Sequence, residues 1–322
     1  MAKYIIKRLA LAVVSFFIIM TMLFVLIRLL PNPVVKVAGG FQQALEDMRT
    51  AWGYYDPIMV QYGIFLKKLF TGFDWGFCTT VGTFLEPVTT YLASKLPATL
   101  YVNGMSLLFA LPLGVIFGMI AAIFKNKWQD QLINVFIMFF ISIPSFVYAV
   151  LFQYVIGFKL GLCPLILNSG TDYFSWPMFH SAILPILSLA VGTIAGDMRL
   201  VRAELTETLT SDYMLLARTK GLTRAQATIR HAFRNSLVPI LPSFMADVIY
   251  IISGSLIIEQ IFSVPGIGRT YLTSISMRDY SVFMAVSMFY VAIGLLSGIL
   301  FDLSYGIIDP RIRMGGGKTN EL

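Results

Sequence analysis

Six stretches of this chain run for about twenty residues or more almost without charge: Leu9–Ile27, Ala98–Phe124, Gln131–Phe158, Trp176–Gly196, Leu237–Phe262 and Tyr280–Phe301. A helix needs roughly 20 mostly apolar residues to cross the hydrocarbon core of a bilayer. Only 13% of the 322 residues are charged and 57% are hydrophobic, against about 25% charged in an average soluble domain. The sequence therefore predicts an all-α integral membrane protein with six transmembrane helices. Pro112, Pro144 and Pro185 fall inside these runs, and Pro144 breaks the third; neighbouring helices in a membrane bundle can satisfy the carbonyls that proline frees. The first run is longer than the apolar part of a signal peptide and no small-x-small cleavage site follows it, so it reads as an uncleaved first span.

Basic residues set the orientation. With the N-terminus inside, the inner segments hold Lys3, Lys7 and Arg8, then Lys125 and Lys127, then a basic island over Tyr213–Asn235 (Arg218, Lys220, Arg224, Arg230 and Arg234) together with Arg199 and Arg202, and last Arg311, Arg313 and Lys318. The long segment after the first span mixes both signs, with Lys36, Arg49, Lys67, Lys68 and Lys95 against Glu46, Asp47, Asp56, Asp74 and Glu86. Both termini are expected on the cytoplasmic side. The net charge of +7 is assigned to this topology and not to a nucleic-acid partner. Four regions follow: 1–30, the N-terminal tail and first helix; 31–97, an extracytoplasmic segment; 98–308, a five-helix core containing a cytoplasmic loop over 199–236; and 309–322, a cytoplasmic tail.

Within 31–97, Phe41, Leu45, Met48 and Trp52 recur at helical spacing and predict an amphipathic helix, followed by a second apolar stretch over Ile58–Phe70. Each can lie on the outer leaflet or build a platform for an external partner.

Covalent chemistry finds no support. Cys78 and Cys163 lack metal or redox spacing, and a disulfide requires both to face an oxidising compartment. Two histidines are too few for a histidine metal cluster, so no metal site is expected. Gly317-Lys318-Thr319 resembles the end of a phosphate-binding loop, but Ile312 stands where its first glycine belongs. The chain is expected to be no enzyme and to bind no cofactor.

The basic island is the most structured of the inner segments. Ser211 or Asp212 can cap a short helix through Ala217–Thr219, and Gly221 follows where a left-handed residue ends a helix. Thr223-Arg-Ala-Gln226 then reads as a capping box that opens another helix. Charge that only fixes topology does not need this punctuation, so helix–Gly–helix points to a docking surface.

The stretch "DYMLLARTKGLTRAQATIRHAFRNSLVP" resembles the cytoplasmic loop of ABC importer permeases. Its pattern is similar to the oligopeptide/dipeptide/nickel permease family, roughly DYxxxARxKGLxxxxxxxxHxxRNxxxP, of the first or "B" type. "GSLIIEQIFSVPGIGR" over 254–269, "RDY" over 278–280, "DPRIR" over 309–313, "KLPATL" over 95–100 and "GFDWG" over 72–76 resemble the same family, so the likeness covers nearly the whole chain. After the first span the family often has RLLPGDP, and this chain departs with Arg28-Leu-Leu-Pro-Asn-Pro33.

The resemblance implies the type I ABC importer permease fold and a set of partners. These are a homologous second permease, two cytoplasmic ATPase subunits that carry ATP and Mg, an external solute-binding protein, and a peptide cargo. Nickel or glutathione is the alternative cargo, and a stand-alone secondary transporter is a more distant one. By the same resemblance Asp212–Lys220 is a coupling helix seated on an ATPase, with Asp212, Tyr213, Leu216, Ala217, Arg218, Lys220 and Gly221 as the coupling set. Thr223, Gln226, His231, Arg234 and Asn235 are expected to brace it.

Acids inside a bilayer are costly and face protein or water. Asp247 lies mid-span; it either makes a structural hydrogen bond to a partner helix or lines the path and meets the peptide's amino end or backbone. Glu259 is expected near the outer end of its span, where water reaches it, as a gate contact or an interface anchor. Asn103 has the same choice of structure or path, and Arg28 is expected to snorkel outward.

Overall fold

The computed structural model describes residues 2–31 and 41–308. Lys36, the Asn32-Pro33 turn, and the tail 309–322 with its DPRIR and Gly-Lys-Thr stretches lie outside the described residues.

Helix α1 (Ala2–Leu29) is followed by α2 (Phe41–Ala51) and α3 (Ile58–Gly72), and α4 (Val88–Ile123) begins ten residues ahead of its apolar run. Then come α5 (Trp128–Ser142), α6 (Ser145–Phe152) with a π-helical turn to Lys159, and α7 (Trp176–Leu209). The second half holds α8 (Asp212–Thr219), α9 (Arg224–Ala227) with a π-helical turn over Thr228–Phe233, α10 (Arg234–Ser253), α11 (Leu256–Ile261), α12 (Ile267–Ser276) and α13 (Tyr280–Ile308). Among the described residues five helical stretches are long and apolar enough to cross a membrane, and α5 with α6 makes a sixth if its two arms count as one span.

That pair is the run that Pro144 breaks. Its arms bend by 102°. Ile143 is extended (φ −98°, ψ 128°) and Pro144 has no N–H to give, so the ladder stops there. Pro112 and Pro185, by contrast, sit inside unbroken helices.

α4 and α7 form the central pair and run parallel. Ala110, Gly114, Gly118 and Ala122 place a small buried residue at every fourth position of α4. A Cβ on Gly114 would lie 2.5 Å from Cβ of Asp197, and one on Gly118 would lie 2.7 Å from Cβ of Val201. The missing side chains let the two backbones approach, and close packing is what holds helices together in lipid.

Two expected boundaries move. The span starting at Trp176 does not end at Gly196 but continues to Leu209, because 197–209 holds no helix breaker and Met198, Val201 and Leu205 keep burying one face. Helix resumes at Arg224. Of the expected loop 199–236, residues 199–209 and 224–236 are thus helical continuations, and only 210–223 lies between the two long helices. The later span is also broken: Gly254 (φ 68°, ψ −178°) ends α10, and α11 restarts at Leu256.

α2 and α3 form a cap that packs on α1 and α13. Leu45, Trp52, Phe65 and Leu69 are buried with Met20, Phe24, Met284 and Met288. The Arg28 guanidinium does not simply reach outward: it stacks 3.8 Å from the Tyr54 ring and 5.2 Å from the Phe24 ring, fastening α1 to the cap. Asp279, fully buried ahead of α13, accepts backbone N–H bonds from Thr79 (2.7 Å), Thr80 (2.9 Å) and Val81 (3.1 Å). The aspartate of RDY therefore holds the loop between α3 and α4.

Candidate functional site

At the end of the bundle opposite the cap, α8 packs on α9 and its π-helical turn, in a cluster that takes in the ends of α4 and α7. Its turns place Met214 and Ala217 inward, buried with Ala122, Leu205, Ala227 and Ala232. Tyr213, Leu215 and Leu216 point outward, with Leu216 55% exposed, and Asp212, Arg218 and Lys220 are exposed beside them. An apolar knob ringed by charge thus faces away from a helix anchored by its other side.

The helix ends as its sequence predicts. Gly221 has φ +90°; its N–H donates to Arg218 O at 3.0 Å and the Leu222 N–H to Ala217 O at 3.3 Å. This pair of bonds is the Schellman arrangement, which needs a left-handed residue at this position. The capping box also forms: Thr223 N donates to Oε1 of Gln226 at 3.1 Å, and Gln226 N to Oγ1 of Thr223 at 3.3 Å. Ser211 occupies the start of α8, but its hydroxyl donates back to Thr208 O at 2.6 Å and caps nothing in α8.

Three residues expected to brace the helix do not do so within this chain. His231, Arg234 and Asn235 are exposed; the bracing comes from Leu222, Ala227, Ala232 and Phe233. Ala217, placed in the coupling set, faces the chain's own core, whereas Leu215 stands exposed and was not singled out. Heptad-like spacing around Met214 and Ala217 was the available signal.

A second brace went unread. Asp130, 2% exposed at the start of α5, accepts from Nε of Arg202 at 2.6 Å and from Arg202 Nη2 at 2.9 Å. It also accepts from Asn126 N and Asn134 Nδ2, each at 2.8 Å.

Along the bundle, Asn103 and Asp247 come together. With Ser106, Thr193 and Tyr250 they line a cavity of about 100 Å³ between α4, α7 and α10. Glu259 is elsewhere and is not water-reached as expected: it is fully buried. Its carboxylate accepts from Thr99 Oγ1 at 2.9 Å and Arg269 N at 3.0 Å. Side chains on Gly254, Gly266 or Gly268 would strike it. Those glycines come from the 254–269 signature, which folds around this one acid.

Residues 114–314 match the family model described as "Binding-protein-dependent transport system inner membrane component", and residues 1–103 match that of its N-terminal region. The chain belongs to this family. It is similar to the dipeptide transport system permease protein DppB of Lactococcus lactis subsp. cremoris, 35% identical over 98% of this chain and 100% of that protein. It is also similar to the glutathione transport system permease protein GsiC of Escherichia coli K12, 30% identical over 97% of this chain and 99% of that one. Among solved structures, the inward-facing MetNI methionine ABC transporter shares the fold with a TM-score of 0.55 at 16% identity, covering 69% of this chain and 97% of that chain. The family member described here is thus a multi-pass permease of the ABC importer class with the corresponding all-α fold.

Proposed function

We propose that this chain is one permease subunit of an ATP-driven importer of dipeptides or oligopeptides in a bacterial cytoplasmic membrane, with both termini in the cytoplasm. It forms half of the path and pairs with a homologous permease. Two ATPase subunits, which hold the ATP and Mg, bind on the side of α8, and a solute-binding protein delivers cargo at the cap formed by α2 and α3. The observation that carries this reading is the geometry of α8. Its apolar face is anchored under α4 and α7, its other face is a bare knob of Tyr213, Leu215 and Leu216, and a glycine-terminated turn fixes its angle. A helix so mounted transmits a sideways push to α7 and α10 as a rigid body.

The 35% identity to a dipeptide permease over its full length supports the peptide cargo. Identity to a glutathione permease favours one second reading, a tripeptide-like thiol cargo. Uptake of labelled dipeptides, tripeptides and glutathione by vesicles holding the reconstituted complex tests both. ATP-dependent peptide uptake, with a crosslink from position 216 to an ATPase subunit, is the expected result. Uptake independent of ATP, or a crosslink to lipid alone, overturns the proposal.

A further inference from the structure

Two acids share the membrane interior near the middle of the central helices. Asp247 on α10 lines the cavity with Asn103. Asp197 on α7 lies one turn beyond Thr193, another lining residue. It is 5% exposed, and its Oδ2 has no hydrogen-bond partner. The register fixes its level: Gly114 faces it from α4, and one turn further Val201 packs on Ile240 and Phe244 of α10. Asp197 thus lies at a level between the cavity and that apolar layer. Among the described residues neither carboxylate pairs with a Lys or Arg.

The remaining polar groups of the cavity are rich in acceptors. Asn103 gives one of its two Nδ2 hydrogens to Thr99 O at 2.8 Å, and its amide oxygen remains an acceptor. Thr193 donates to Leu189 O at 3.4 Å and keeps its lone pairs. A buried carboxylate without donors is expensive, and a positive partner offsets that cost. A primary ammonium carries one positive charge and three donors with no acceptor, which complements these oxygens. We propose that Asp197 and Asp247, with the Asn103 amide oxygen, form a binding site for a primary ammonium group of the cargo, either a peptide's α-amino group or a lysine side chain.

The proposal rests on the peptide-importer reading, and one experiment separates the two. The ATP-free complex is purified without binding protein, and its thermal transition is followed with tri-alanine, N-acetyl-tri-alanine, N-acetyl-lysine amide or sodium chloride. Tri-alanine should stabilise the wild type, and the acetylated peptide should bind about tenfold or more weakly, the loss expected for a charge-assisted hydrogen bond. Asp247→Asn should abolish the difference, as should Asp197→Asn where it folds. Stabilisation by N-acetyl-lysine amide would assign the side-chain amine, and its absence the α-amino group. Equal effects of both tri-alanine forms, an equal effect of sodium chloride, retention of the difference in Asp247→Asn, or no stabilisation at all overturns the site. A wild type that imports tri-alanine yet is not stabilised by it loses only the site; one that imports no peptide loses the parent reading.

Discussion

Arg202 holds the Asp130 carboxylate by two hydrogen bonds, of 2.6 and 2.9 Å, across 72 residues of sequence. The pair joins the start of α5 to α7 two turns before α7 gives way to α8. Its two ends are unequal: Asp130 is buried, whereas Arg202 is about a quarter exposed. Removing the cation leaves an acid with no water to turn to. Removing the acid leaves a cation that can reach solvent.

Arg202→Met should therefore cost more than Asp130→Asn. Stranding one member of a buried pair costs about 3–5 kcal/mol. Arg202→Met should fall at the low end of that range because Asn126 and Asn134 still donate to the acid, and Asp130→Asn should cost about 1–2 kcal/mol. Thermal unfolding of the purified complex decides the order. Equal losses would mean that the two residues are held in place by packing and not by each other.

Gly221→Val should leave insertion intact while uncoupling ATP hydrolysis from uptake. The structure sharpens the reason. A Cβ at this position meets nothing within 4 Å, so the penalty is backbone strain alone, about 1–2 kcal/mol for a left-handed L-residue. Asparagine tolerates that conformation better than valine. Substrate-stimulated ATPase activity should fall in the order Gly, Asn, Ala, Val. A flat series would show that the Schellman turn is not what fixes α8.

How much of this was readable in the chain depends on the range of the interaction. The spans were legible because lipid imposes length and apolarity on each run separately. α8 was legible because capping signals at Gly221, Thr223 and Gln226 act within four residues. A break at Pro144 was legible from a ring that has no N–H to give, but the 102° between α5 and α6 is a tertiary outcome. Glu259 lies near a span end, and only the folding of the 254–269 segment against the distant Thr99 hides it from water. Asp197 seemed to sit past a helix end, because the continuation of α7 depends on Met198, Val201 and Leu205 finding partners on other helices. His231, Arg234 and Asn235 were taken from the family pattern, which does not say whether a residue serves its own fold or a neighbour.

Asp279 predicts the chemistry of Cys78. The thiol is fully buried in the loop that Asp279 holds, and burial, reinforced by Asp279 and Glu86, pushes its pKa up to about 12. The thiolate is the reactive form, so maleimide labelling of Cys78 at pH 8 should be at least about a hundredfold slower than in the denatured chain. Asp279→Ala removes the acceptor of three backbone N–H groups and should open the loop, raising labelling and proteolysis within 73–87. The linkage has a definite sign. Above about pH 9 an unfolded thiol ionises while the folded one keeps its proton, so the unfolded state binds fewer protons and stability falls with rising pH. The loss should extend from about pH 9 to about pH 12 and vanish in Cys78→Ala. Fast labelling of the native wild type would contradict the buried loop.

The two faces of α8 supply the sharpest test of the proposed coupling. Met214 is 4% exposed and packs on Ala122 and Leu205, whereas Leu216 is 55% exposed and touches no buried cluster. Met214→Asp buries an unpaired charge and should destabilise the chain by about 3 kcal/mol or more, reducing its amount in the membrane. Leu216→Asp should leave that amount within about 0.5 kcal/mol of normal stability, as most exposed substitutions do. Yet it places a charge where an apolar knob must enter a groove, and interface anchors of this kind cost about 2 kcal/mol or more when lost. ATPase subunits should therefore fail to co-purify with Leu216→Asp while the permease itself remains folded. Normal retention of the ATPases by that variant would remove α8 from the contact and, with it, the reason for mounting a bare apolar knob on a braced helix.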